Sequence, residues 1–207
     1  MAKIIPILFK TEMVKAILDG TKTQTRRILK PQPHPVTRHG LTTQTTYEWD
    51  YSKKVTDLPE FEWLKLSPIK KGDILYVRET FGIEGNTSKF FIYKADVKHF
   101  NGKWRSSLHM PKTAARIFLK VVSVKVERLK DISQEDAAKE GVKKKGNMFF
   151  NYFSYTKHMD EDFFYSEDQA KSSFMSLWFK IMGASSWIAN PWVWVIEFEQ
   201  TESPFTV

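Results

Sequence analysis

Apolar residues recur along this chain with two different spacings, and the changes from one to the other mark its elements. Ile4 to Phe9 is a short apolar run broken by Pro6, which suits an opening or edge strand because proline removes a ladder donor. At Thr11 the spacing becomes helical. Met13, Val14, Ile17 and Leu18 form one stripe, Thr11 is the expected N-cap, Glu12 favours the first turn, and Gly20 stands where a helix ends in a left-handed residue. The polar run Gly20-Thr21-Lys22-Thr23-Gln24-Thr25-Arg26-Arg27 leaves that helix end and grades into Ile28 and Leu29. From Pro31 to about Lys70 the periodicity is lost. Pro31, Pro33 and Pro35, then Thr42, Thr43, Thr45 and Thr46, predict a long irregular segment pinned by Trp49, Phe61 and Trp63.

Regular spacing returns after the turn signal Lys71-Gly72-Asp73. Ile74 to Val77 reads as a strand that continues through Arg78-Glu79 into Thr80-Phe81, and Phe90 to Tyr93 as another. Arg116 to Val126 is a long strand whose apolar positions change parity between Val121 and Val122, which predicts a β-bulge or a barrel corner. Ser133 opens a short helix that closes at Glu140-Gly141. A second insertion, about 143–165, carries Lys143-Lys144-Lys145, then Phe149, Phe150, Tyr152, Phe153 and Tyr155, and an acidic patch at Asp160-Glu161-Asp162; it reads as a flap packed on the core, with single-strand binding as the other option. Ser166 and Gln169 cap a helix with Phe174, Leu177, Trp178 and Ile181 inward and Gly183 at its end, and Trp192 to Phe198 is the last strand. Strands and helices do not alternate regularly. The expected class is α+β: one domain over 1–207, a small, mostly antiparallel barrel with flanking helices and long insertions at about 31–70 and 143–165.

Composition narrows the partners. Lys and Arg number 32 against 24 Asp and Glu, a net charge of +8, which points to an anionic partner, with nucleic acid or a nucleotide first. No apolar run approaches the roughly 18 residues of a membrane span, so no membrane partner and a cytoplasmic location are expected. The chain has no cysteine, which removes disulfides and thiolate chemistry. The five histidines show no metal-ligand spacing, and neither a metal nor a cofactor is expected.

The polar run at 20–27 has two readings. It is a solvated strand edge kept from aggregating by its cations, or a place where hydroxyl, ammonium and guanidinium groups converge on an anionic or carbonyl-bearing ligand. Arg78-Glu79 reads as an ion pair or as pocket lining, Trp187, Trp192 and Trp194 as core residues of which one at a pocket edge would stack on a base, and Asn190 as a candidate reader of a base edge.

Taken in order, the helix, Gly20 to Arg27, Lys71 to Val77, Ser133 to Gly141 and Val195-Ile196-Glu197-Phe198 resemble the ASCH domain family, small barrels of the PUA-like superfamily associated with RNA binding and base modification. Arg78-Glu79-Thr80-Phe81 and Asn190-Pro191-Trp192 resemble the longer forms carried by bacteriophages and prophages. One branch of the family is an amidohydrolase that deacetylates N4-acetylcytidine with a Lys, a Thr and a Glu. The resemblance implies Lys22, Thr25 and Glu140 as that catalytic set, with Arg27 beside them. Thr23, Arg26, Arg27, Arg78, Glu79, Asn190 and Trp192 are the accompanying candidates for binding substrate or nucleic acid.

The implied chemistry is coherent. A threonine hydroxyl becomes a nucleophile when a neighbouring amine takes its proton, as Lys22 would if burial or Arg26 and Arg27 depress its pKa, and Glu140 would orient the amine or protonate the leaving group. In a regular strand Lys22 and Thr25 face opposite sides. They converge only if Lys22 lies in the turn after Gly20 or a bulge intervenes, and Thr23 would share a face with Thr25 and Arg27. The expected function is therefore a nucleoside- or RNA-base-binding ASCH protein with amidohydrolase activity on N4-acetylcytidine or a related base; the alternatives are a non-catalytic RNA- or DNA-binding module and a ribonuclease.

Overall fold

A computed structural model describes residues 2–38, 44–50, 55–57, 64–85, 90–142 and 169–205. Five strands form the main sheet: β1 (Ile4–Leu8), β2 (Gln24–Ile28), β6 (Ile74–Arg78), β9 (Phe118–Arg128) and β10 (Trp192–Thr201), in the order β1-β6-β9-β10-β2. Only β1 and β6 run parallel; the other neighbours are antiparallel. The arrangement is α+β around a mixed sheet.

Period-two alternation in β10 sends side chains to two separate cores. Trp194 and Ile196 join Leu75, Leu119 and Val126 on the face covered by helix α1 (Thr11–Leu18), through Val14 and Ile17. Val193 and Val195 face α2 (Gln134–Lys139), α3 (Gln169–Met182) and α4 (Ala184–Ile188), packing with Phe174, Trp178 and Trp187. Because both faces of β2 and of Val193–Ile196 in β10 are covered, the charged side chains of β2 have to find their partners inside the protein. A third, smaller core of Phe81, Met110 and Ala114 lies under the hairpin of β7 (Phe81–Glu84) and β8 (Phe90–Tyr93).

Several expectations hold. Gly20, Gly72, Gly141 and Gly183 all take positive φ at the element ends where they were placed. The parity switch in β9 is a bulge: Glu197 pairs with Ser123 and Phe198 with Val121, so Val122 is the extra residue. Ser133 caps α2 by accepting the Asp136 N–H at 3.1 Å.

Others need correction. The sheet is not closed: β1 and β2 are its ends, and no ladder joins them among the described residues. Side chains occupy the gap instead, around a cleft of about 480 Å³ walled by Ile7, Leu8, Arg27, Ile28 and Trp194, with Arg27 Nη2 donating to the Leu8 carbonyl at 2.8 Å. The segment from Pro31 onward is not wholly irregular. It contains an antiparallel sheet of β3 (His34–Arg38), β4 (Gln44–Asp50) and β5 (Val55–Asp57), in which Thr37 pairs with Thr45 and Val36 with Thr46. β-Branched residues favour strands, a preference outweighed in the sequence reading by the prolines beside them. Phe61, Trp63 and the 143–165 insertion lie outside the described residues. Helix α1 is capped by Lys10, with Thr11 its first helical residue and no side-chain cap bond. Among the described residues, no helix is long and apolar enough to cross a membrane.

Candidate functional site

Lys22 is placed by the way the chain leaves α1. After Gly20 (φ +71°) the Lys22 N–H turns back to the Ala16 carbonyl at 2.9 Å, and Thr23 N–H bonds the Lys139 carbonyl at 2.9 Å. Lys22 thus forms a bridge with Glu140 before β2 begins at Gln24. It lies in the connection after Gly20, the first of the two conditions for reaching the Thr25 side. Its side chain is fully buried, and the ammonium donates to the Gln24 carbonyl (2.7 Å), the Glu140 carbonyl (2.9 Å) and Glu140 Oε2 (2.8 Å). Those are the three donors an ammonium has. Burial lowers the Lys22 pKa from its ordinary 10.5; the charge and hydrogen bond of Glu140 oppose that, and Arg27 and Arg26 add to it.

Gly141 makes this approach possible. At φ +81°, a Cβ there would stand 2.7 Å from Lys22 Cβ and 2.9 Å from Ala16 Cβ. Gly141→Ala therefore combines backbone strain with overlap, and a loss of about 2–4 kcal/mol is expected in urea unfolding.

Arg26 is the centre of a second, larger group. Nε donates to Glu127 Oε1 (2.9 Å), Nη1 to Gln24 Oε1 (2.7 Å) and Glu140 Oε1 (3.0 Å), and Nη2 to Glu127 Oε1 (2.5 Å) and Asp136 Oδ2 (3.1 Å). All five guanidinium donors are used, which leaves none for a ligand. Lys125 also reaches Asp136 Oδ2 at 3.0 Å, and Gln24 Nε2 links Asp136 and Glu197 at 3.3 Å each.

Burial opposes ionisation of Asp136, but the bond and charge of Lys125, the charge of Arg26 and the Gln24 bond hold it below its ordinary 3.8. The Ser123 hydroxyl, 2.7 Å from Oε2, leads the groups that hold Glu197 below 4.5. For carboxylates depressed in the folded state, the stabilisation is complete above the unfolded value and disappears as pH falls through the folded one. Stability is expected to decline as pH drops below 4.5, with Asp136→Asn flattening that acid limb in urea midpoints measured across it.

Thr25 and Arg27 point to the other face of β2. Thr25 is 2% exposed, and its hydroxyl forms no hydrogen bond among the described residues. It lines a cavity of about 80 Å³ together with Arg26, Arg27, Glu140, Met13, Phe174 and Trp178. Arg27 is half-buried, with Cζ 5.1 Å from the Phe9 ring, and also lines two wider hollows: the 480 Å³ cleft and one of about 530 Å³ that includes Lys10, Thr80 and Ser107. Arg27 is thus the common wall of a narrow chamber and two open approaches.

The structure brings Lys22, Thr25, Arg26, Arg27 and Glu140 together and puts the remaining candidates elsewhere. Thr23 is exposed and lines an outer hollow with Thr21 and Lys139, because the β10 bulge at Glu197/Phe198 lies at its level and it precedes the regular strand. Arg78 and Glu79 do not pair: β6 ends at Arg78, whose guanidinium donates to the Leu108 and Met110 carbonyls, whereas buried Glu79 is held by Arg116 at 2.9 and 3.2 Å. Asn190 (φ 45°) accepts the Lys130 N–H at 2.8 Å through its side chain, and Trp192 packs under Arg128, 4.5 Å from the ring centroid. None of these five lines the 80 Å³ chamber. Sequence reasoning missed Gln24, Glu127 and Asp136. The available signal was Lys125 and Glu127 interleaved with Val124 and Val126, a polar face on a strand too apolar to be exposed.

Comparison with family models, with curated proteins and with solved structures finds no match to this chain.

Proposed function

We propose that this protein is a PUA-like, ASCH-type base-binding protein that hydrolyses the acetyl amide of N4-acetylcytidine or a related modified base. The observation that carries the proposal is the convergence of Thr25, Glu140 and Arg27 on one small cavity, with Lys22 bonded to the Glu140 carboxylate behind it. Thr25 contributes the one hydroxyl in the group that is not committed to another bond.

In this reading Thr25 Oγ attacks the acetyl carbonyl carbon, and its proton passes to the Glu140–Lys22 pair, a buried carboxylate and amine 2.8 Å apart. Arg27 stabilises the oxyanion. The same pair returns the proton to N4 as the carbon–nitrogen bond breaks, releasing cytidine. Water then cleaves the acetyl-threonine ester to acetate. Phe174 and Trp178 supply apolar walls suited to a base or an acetyl methyl group.

The test is incubation of the folded protein with N4-acetylcytidine, following cytidine by absorbance. Turnover by the wild type that is lost in the Thr25 variant is the expected result. A folded wild type without turnover overturns the hydrolase and leaves the non-catalytic nucleic-acid-binding module, which the net charge of +8 also suits.

A further inference from the structure

One charged surface lies outside the candidate site. Between β8 and the 3₁₀ turn Ser107–His109, the segment 94–106 carries Lys94, Lys98, Lys103 and Arg105, all exposed. None of the four has a carboxylate partner among the described residues. The segment's one acid, Asp96, is taken by Arg116 at 2.6 and 2.9 Å. Phe100 and Trp104 stand among the cations with ring centroids 4.9 Å apart, and Lys94 Nζ lies 5.9 Å from the Trp104 ring.

The platform is held in place. The Phe100 ring lies against Gly82 and Gly102, closer than a Cβ at either would permit. Phe81 and Arg105 exchange backbone hydrogen bonds at 3.2 and 2.7 Å, and Lys94 N–H bonds the Thr80 carbonyl at 3.0 Å. Thr80 and Ser107, at the foot of the platform, line the 530 Å³ hollow that reaches Arg27. The basic, aromatic surface is therefore continuous with an approach to the candidate chamber.

We infer that segment 94–106 is a platform for single-stranded nucleic acid, its phosphates on the four cations and its bases against the Phe100–Trp104 pair. The inference rests on the proposed base-binding reading for one point, that the base entering the chamber belongs to a polynucleotide rather than to a free nucleoside. Cations without carboxylate partners flanking two half-buried rings suit a strand whose bases are free to stack, whereas a duplex keeps its bases stacked inside.

The experiment is fluorescence anisotropy of labelled oligocytidylate, as RNA and as DNA, titrated with wild type, Lys98→Ala/Lys103→Ala and Trp104→Ala across a salt series. Melting temperatures confirm that each variant is folded, and vesicles containing phosphatidylserine serve as a second anionic probe. Wild-type binding is expected to weaken with salt, the double variant to flatten the log–log slope by roughly 1.4, and Trp104→Ala to bind about tenfold more weakly. Stronger binding to RNA than to DNA would place the 2′-hydroxyl in the contact, and equal binding would place it outside; both support the platform. Binding by the double variant equal to wild type overturns the platform, as does binding to vesicles without binding to either oligonucleotide. Nucleoside turnover by a wild type that binds no oligonucleotide overturns this inference alone; oligonucleotide binding without nucleoside turnover overturns the hydrolase and leaves the platform standing.

Discussion

Thr25→Val is expected to lower kcat/KM for N4-acetylcytidine by about a thousandfold or more, while moving the melting temperature by less than about 2 °C. The two halves of this result have one physical cause. Valine reproduces the shape and strand preference of threonine but has no hydroxyl, so it removes the proposed nucleophile and nothing else. Thr25 is 2% exposed and its hydroxyl bonds to nothing among the described residues, so the substitution orphans no partner. Thr25→Ser, which restores a hydroxyl with more rotational freedom, is expected to recover part of the rate. Lys22→Ala and Glu140→Ala make weaker evidence, because each also strands a buried charge and lowers stability. A Thr25→Val protein that deacetylates at the wild-type rate would move the nucleophile elsewhere.

How much of this was legible in the sequence depended on whether the cause was local. Gly20, Gly72, Gly141 and Gly183 announce positive φ through their own chemistry, and the bulge at Val122 shows as a parity change within one strand. The position of Glu140 opposite Lys22, 118 residues away, has no local signature. It entered through resemblance to a family, and the structure gives the geometric content: a helix C-cap brought against the residue after a helix end. The open sheet was not legible either. Closure depends on whether β1 and β2 meet, and the Arg27 side chain and the cleft between them decide that, not the pattern of either strand. Arg26 shows the same limit most clearly. As one of two adjacent arginines it looked like a ligand contact, and it stands in the chamber wall beside Arg27, yet all five of its guanidinium donors are taken by Gln24, Glu127, Asp136 and Glu140.

Arg26→Ala is accordingly expected to cost about 3–5 kcal/mol in urea unfolding, the range for removing one partner from a buried charged cluster. Against a total stability of roughly 5–15 kcal/mol, such a loss leaves little folded protein at elevated temperature. The guanidinium is fully buried and satisfies oxygens on Glu127, Asp136, Glu140 and Gln24. Deleting it leaves three carboxylates facing one another with Lys22, Lys125 and, at 3.9 Å from Asp136, Lys139 to balance them. Arg26→Lys does not repair the cluster, since a point ammonium with three donors cannot reproduce a planar fork of five. Neutralising an acid should do better: Arg26→Met/Glu127→Gln is expected to recover part of the loss, and the excess over additivity measures the coupling. The alternative role for Arg26, direct contact with a ligand, predicts the reverse pattern of intact stability with lost binding. Urea midpoints of Arg26→Ala, set beside turnover of whatever fraction folds, separate the two. If Arg26 is structural, activity per folded molecule falls only as far as Glu140, freed from its 3.0 Å bond to Nη1, drifts from its place on the chamber wall.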